Sequence, residues 1–138
     1  MAIRWYSVVI DSQDVAAQAR WWAQVLSWEI VYESDDEVVI VPPIAVQQEQ
    51  DPSSTPFADR AQGWVFVPVP EGKTVKNRIH LDLAPDRDSD HAAEVQRLVD
   101  LGARHVDVGQ IESGPDAVTW TVLADPEGNE FCLLSPRD

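Results

Sequence analysis

Short alternating apolar runs and two stretches of helical period follow one another along this chain, and their order occurs twice. Residues 4–10 (RWYSVVI) are rich in strand formers and end at the polar cluster Asp11-Ser12-Gln13-Asp14. Asp11 or Ser12 is placed there to cap a helix, with Asp14 near the positive end of its dipole. Val15, Ala19, Trp22 and Leu26 then recur at helical spacing and predict a helix to about Ser27, with Trp21 and Trp28 at its edges. The β-branched runs 28–33 and 37–41 flank Ser34-Asp35-Asp36 and predict a hairpin. Residues 42–62 carry four prolines and no clear period, the pattern of a lid, a binding loop or a surface excursion. Strand character returns at 63–69, where Pro68 marks an edge or a bulge.

The second half begins on residues 77–84 (NRIHLDLA). Alternation there places Ile79, Leu81 and Leu83 on an apolar back, and Arg78, His80 and Asp82 on a polar front. Polar groups in a row cost free energy if buried unpaired, so this front faces water or a cavity that uses them. An acidic helix start at 85–90 leads to a stripe of Ala92, Val95, Leu98 and Val99, closed by Gly102. A short strand at 104–108 and a polar loop at 109–116 precede a strand at 118–124. Asp125-Pro126-Glu127-Gly128-Asn129 is a tight turn, and a final strand covers 130–134. Each half therefore reads strand–helix–strand–strand–strand. The expected fold is α+β, one domain over 1–138, with paired βαβββ modules at 1–70 and 77–138. Their strands would form a curved mixed sheet around a cavity, with the helices outside.

Charge and composition narrow the partners. Ten Lys and Arg stand against 24 Asp and Glu, a net −14, which disfavours nucleic acid and anionic membrane surfaces. The same balance suits a cationic ligand or simply a soluble acidic surface. Six tryptophans and 44% apolar residues support a packed core. Cys132 is the single cysteine and fits a reducing compartment. With no signal-peptide pattern at residues 1–5 and no membrane-length apolar run, the expected location is the cytoplasm.

The paired βαβββ pattern, with RIHLDL opening the second half and DPEGNEFCLL closing it, resembles the vicinal oxygen chelate superfamily. It is similar, more narrowly, to glyoxalase-like proteins, kin of the glyoxalase, bleomycin-resistance and extradiol-dioxygenase families. The resemblance covers nearly the whole chain, including SVVIDSQDVAAQARWWAQVLSWEIV in the first half. In metal-dependent members it implies four ligands, one from the first and one from the last strand of each half, holding a divalent ion. Those positions fall here on Ser7, His80, Val67 and Cys132, with Glu130 two residues before the last. Ser7 is a weak neutral donor and Val67 is none. His80 with Cys132 suits a soft ion, but two donors do not make a tight site, and Asp82 or Glu130 would have to be recruited. The expectation is therefore no metal and no other cofactor. The resemblance also implies a homodimer.

What remains is a cavity with His80 at its wall. His80 is the candidate acid/base, and Asp82 on the same face tunes it. Arg78 is placed to hold an anionic group on a ligand. Trp5, Trp64 and Trp120 supply aromatic walls, and Ser7, Val67, Glu130 and Cys132 complete the set of candidate ligand contacts. Cys132 has no basic neighbour in sequence and reads as a small buried hydrophobe rather than a nucleophile. His91 and His105 are given structural roles. The reading is a metal-free protein that binds a small organic molecule. The alternatives are a lyase, isomerase or dioxygenase-like enzyme using His80, and a structural or regulatory subunit whose cavity is vestigial.

Overall fold

In the computed structural model, which describes residues 3–111, 113–115 and 119–137, the chain divides into two compact units, 1–72 and 73–138. In the first unit Asp14, not Asp11 or Ser12, starts the helix: its carboxylate accepts from Ala17 N at 3.1 Å. Asp11 and Ser12 belong instead to strand β1 (Val8–Ser12), which begins four residues later than the β-rich run suggests. Helix α1 (Val15–Leu26) ends on Ser27, left-handed at φ 54°, where Trp28 N donates to Ala23 O. The hairpin forms as read, from β2 (Glu29–Glu33) and β3 (Val38–Val41). Strand β4 (Trp64–Pro68) completes a four-stranded sheet in the order β1-β4-β3-β2, with β1 parallel to β4.

Alternation decides which residues of this sheet meet the helix. Val38 and Ile40 of β3 and Trp64 and Phe66 of β4 are buried, while Val39, Val65 and Val67 are only half-buried. Trp22 of α1 stands edge-on to Trp64 at 5.1 Å between ring centroids, and Trp28 does so at 5.4 Å. Trp21, expected at an edge, is buried as well. Gly63 lets β4 enter closely: a Cβ there would lie 2.7 Å from Ile40 O and 2.8 Å from Val41 Cγ1. Residues 42–62 are not structureless. They hold helix α2 (Pro43–Gln50), opened by proline at its first position, and a 3₁₀ turn at Phe57–Asp59. Helix α2 buries no residue, which is why it leaves no apolar period in the sequence.

The second unit repeats the plan. Strands β5 (Leu81–Leu83), β6 (Arg104–His105), β7 (Thr121–Ala124) and β8 (Glu130–Leu133) form a sheet in the order β5-β8-β7-β6, with β5 parallel to β8. Helix α3 (His91–Leu101) is capped by Asp90, which accepts from Ala92 N and Ala93 N, and it ends on Gly102 at φ 118°. Of its predicted stripe only Leu98 is buried, and Ala92 is exposed. The strand around His80 is much shorter than its alternation suggests. Pairing starts at Leu81, so residues 77–80 lie outside the sheet and Ile79 is 87% exposed rather than packed at the back. The strand expected from Val118 starts at Thr121; Val118 itself, like Asp116 at the end of the preceding loop, lies outside the described residues.

Asp125 holds the turn between β7 and β8. Fully buried, it accepts through Oδ1 from Glu127 N (3.0 Å) and Asn129 N (2.9 Å), and through Oδ2 from Asn129 Nδ2 (3.0 Å). Gly128 supplies the left-handed residue at φ 90°. Replacing Asp125 by Ala strands these half-buried donors, and the expected loss is about 1–3 kcal/mol in urea unfolding. A variant as stable as the parent would show that the turn holds without its carboxylate.

Candidate functional site

The parallel pairing of β5 with β8 sets Asp82 directly beside Cys132, and the antiparallel pairing of β8 with β7 sets Cys132 beside Val122. These three side chains form a row on one face of the sheet, while Leu81, Phe131 and Leu133 take the opposite face. His80 precedes the first paired residue, and its Nδ1 lies 3.3 Å from Asp82 Oδ1. One ligand atom from each of His80, Asp82 and Cys132 lies within 4.8 Å of the others. The imidazole and carboxylate are 43% and 51% exposed, whereas Cys132 is buried. Burial pushes the Cys132 thiol up, and the neighbouring Asp82 carboxylate pushes it further, with Lys76 opposing. Cys132 is therefore held as a thiol rather than a nucleophilic thiolate.

These residues line a cavity of about 540 Å³ together with Trp120, Val122 and Leu134. Trp120 is 40% exposed and offers its ring to the space. Lys76 and Arg137 bring cations to the lining. Arg78 does not: it is exposed and stands outside the lining, because residues 77–80 leave the sheet and the alternation that would aim it does not operate. Glu130 lines the cavity but its carboxylate is already engaged. Oε1 accepts from Lys73 Nζ at 2.8 Å, and Oε2 accepts from Asn77 N at 3.0 Å. Burial alone would raise its pKa, but the Lys73 and Asn77 hydrogen bonds and the Lys73 charge outweigh it and hold the carboxyl below its ordinary value. Glu130 thus ties down the segment that leads to His80. Lys76, Arg137 and Val122 are absent from the sequence-based set; the places of Lys76 before the focal strand and of Val122 on β7 hinted at them, and nothing in the sequence hinted at Arg137, which lies past the last strand.

The remaining candidates belong to the first unit. Ser7 immediately precedes β1 as His80 precedes β5, so the two positions correspond. By the same register the counterpart of Cys132 is Val65, which pairs with Val9 as Cys132 pairs with Asp82; Val67 lies two residues beyond. Ser7 and Val65 line a separate cavity of about 400 Å³ walled by residues 42–62. Phe57 anchors that wall, with Tyr6 stacked at 6.2 Å and the guanidinium groups of Arg4 and Arg60 over its ring at 5.4 and 5.9 Å. Trp64 is not a cavity wall but core, since alternation turns it toward α1. Trp5 is 67% exposed and lines neither cavity, although its neighbours Tyr6 and Ser7 line the second.

Comparison with known proteins places this geometry. The family described as a glyoxalase-like domain matches residues 7–134. No curated protein matches in sequence. Among solved structures, a glyoxalase/bleomycin resistance protein/dioxygenase family enzyme from Burkholderia phytofirmans superposes with a TM-score of 0.66 at 16% identity, over 98% of this chain and 100% of that one. The fosfomycin resistance protein FosX from Mesorhizobium loti gives 0.65 at 15% identity, over 97% and 92%. FosX from Listeria monocytogenes, complexed with Mn(II) and sulfate ion, gives 0.65 at 9% identity, over 99% and 92%. At these identities the likeness is one of fold.

The residues here do not fit an ion such as Mn(II). A hard cation asks for several oxygen or imidazole donors. Of the corresponding positions only His80 is such a donor; Ser7 is a neutral hydroxyl, Val65 and Val67 have none, and Cys132 offers sulfur. Glu130 is spent on Lys73 and Asn77.

Because the folded pKa of Glu130 lies below its ordinary value of 4.5, its stabilising contribution is present above that value and is lost as pH falls through the lowered one. The stability gap between the parent and Glu130→Gln is therefore expected to be widest near neutral pH and to close under acid. Urea midpoints measured across that range check it; a gap independent of pH would mean that Glu130 acts through shape alone.

Proposed function

This chain belongs to the glyoxalase-like domain family, and on that premise we propose that its second unit binds a small organic molecule without the hard-metal centre of metal-dependent relatives. The observation that carries the reading is the 540 Å³ cavity, a size suited to a small ligand, where the Trp120 ring and apolar Val122 and Leu134 face the polar His80–Asp82 pair. Aromatic and apolar walls supply binding energy, and a few placed polar groups set orientation. Trp120, His80, Asp82 and Cys132 are the proposed contacts, with Glu130 holding the wall rather than touching the guest.

The guest's charge follows the cavity and not the whole chain. Glu130 is neutralised by Lys73, which leaves Lys76 and Arg137 against Asp82. A neutral or anionic polar end suits this lining better than the cationic one suggested by the net charge. Fosfomycin resistance proteins of this fold act in drug resistance by name, and sequestration or modification of a small molecule is the corresponding role here. Ser7 and the first-unit cavity are a second place for such a guest.

One observation favours an enzyme as the second reading. Asp82 beside Nδ1 fixes the His80 ring and leaves Nε2 to serve as an acid or base at a guest. Turnover that follows a pH profile and disappears in His80→Ala, with binding kept, would establish it. The reading keeps the protein in the cytoplasm, where Cys132 stays reduced, and in a homodimer, to be checked by sedimentation. No helix among the described residues is long and apolar enough to cross a membrane.

Three naphthalene derivatives of equal size, carrying a sulfonate, an ammonium or neither, separate these possibilities by tryptophan fluorescence titration. The sulfonate is expected to bind more tightly than the ammonium, and Trp120→Ala to weaken it by about tenfold, or roughly 1.4 kcal/mol. Equal binding by parent and Trp120→Ala would remove this cavity as the site.

A further inference from the structure

We propose that His80, Asp82 and Cys132 form a binding site for a thiophilic divalent cation of the zinc class, built within the second unit alone. Three donors of different kinds, an imidazole nitrogen, a carboxylate oxygen and a sulfur, converge within 4.8 Å. Zinc-class ions take this mixture, the Cys132 thiol releasing its proton to solvent as the metal–sulfur bond forms, with bonds of about 2.0–2.3 Å that hold neighbouring ligand atoms about 3.5 Å apart. The contraction needed is therefore about an ångström. The parts that must move are free to do so, since His80 and Asp82 are about half exposed, while Cys132 is fixed in β8.

Strand register supplies the preorganisation. Asp82 and Cys132 are directly paired partners on parallel strands, so their separation is set by backbone hydrogen bonds rather than by loop conformation. His80 is steadied from the other side, because Glu130 accepts from Lys73 and from Asn77 N three residues before it. Three protein donors leave a coordination position open toward the cavity that these residues line.

This site shares two positions, His80 and Cys132, with the ligand set that the family resemblance implies, but not its composition or its span of both units. Of that set only His80 is present in both place and type. Asp82 stands outside it, and sulfur at Cys132 shifts the preference from hard to soft ions. The donors come from one unit, so no residue of the first is required. The proposal does not rest on the organic guest: the cobalt experiment below and the naphthalene titration can each fail alone.

Co²⁺ is the probe, because thiolate bound to cobalt gives an intense near-ultraviolet charge-transfer band that oxygen and nitrogen ligands do not. Titration of the full chain under reducing conditions is expected to give this band with saturation at one equivalent, and Zn²⁺ to abolish it while equimolar Mn²⁺ does not. Cys132→Ser should lose the band. Asp82→Asn, a change at an exposed position that leaves the fold intact by circular dichroism, should keep the band but weaken Co²⁺ by more than about a hundredfold, the upper end of what loss of an outer-shell partner costs. Absence of the band in the parent, its survival in Cys132→Ser, or a loss of affinity in Asp82→Asn no greater than about a hundredfold would each overturn the proposal. Should Cys132→Ser fail to fold, the parent titration and Asp82→Asn decide alone.

Discussion

The parallel pairing of first with last strand, made once in each unit, is the constraint on which the rest of this protein depends. Parallel strands cannot be joined by a tight turn, so the chain between them must leave and return, and it does so through a helix and a hairpin-like pair. The crossing brings residues fifty or more positions apart into register: Val9 beside Val65, and Asp82 beside Cys132. It also fixes which face each of them takes. Helix-facing positions become core, as with Trp64 and Phe66, and the other face is left to carry chemistry. Without that pairing Cys132 would be an isolated thiol and Asp82 an ordinary surface carboxylate.

The two units share this topology but not its use. At corresponding positions the first unit has Ser7, Val9 and Val65, and the second has His80, Asp82 and Cys132. An apolar open face in one and ionisable groups in the other follow from three residues on the same scaffold. The first unit compensates with residues 42–62, whose Phe57, held by Tyr6, Arg4 and Arg60, walls its cavity. A shared fold thus says little about shared chemistry, and the donors at each position decide what ion or molecule fits.

Much of the architecture was legible because the first unit's elements are strongly patterned. Val15, Ala19 and Trp22 mark α1, the β-branched runs mark β2 and β3, and the Asp125–Asn129 turn announces itself by composition. Legibility failed where no periodicity exists to read. Helix α2 buries nothing, and the alternation across 77–84 is real in the letters but only three residues of it pair. Ile79 and Arg78 were misplaced for that reason. At the site, His80 and Asp82 could be put on one side by local spacing. That Cys132 joins them depends on strand register, and that Glu130 is spent on Lys73 and Asn77 depends on a contact more than fifty residues away, so neither is visible in a window.

The double hold of Glu130 on the chain at 73 and 77 has an evolutionary side. One carboxylate in β8 governs a segment far upstream in sequence, so substitutions at 73, 77 and 130 cannot be weighed separately. A change at Lys73 alone strands a carboxylate, a change at Glu130 alone strands an ammonium, and both together are milder than their sum. Drift in this wall of the cavity should therefore proceed by paired replacements. Lengthening of the chain just before Lys73, by contrast, leaves the anchored approach to His80 where it was, and makes the exposed pair 71–72, beyond the bonds that hold Val69 and Pro70 to Ser12 and Gln13, the natural place for insertions.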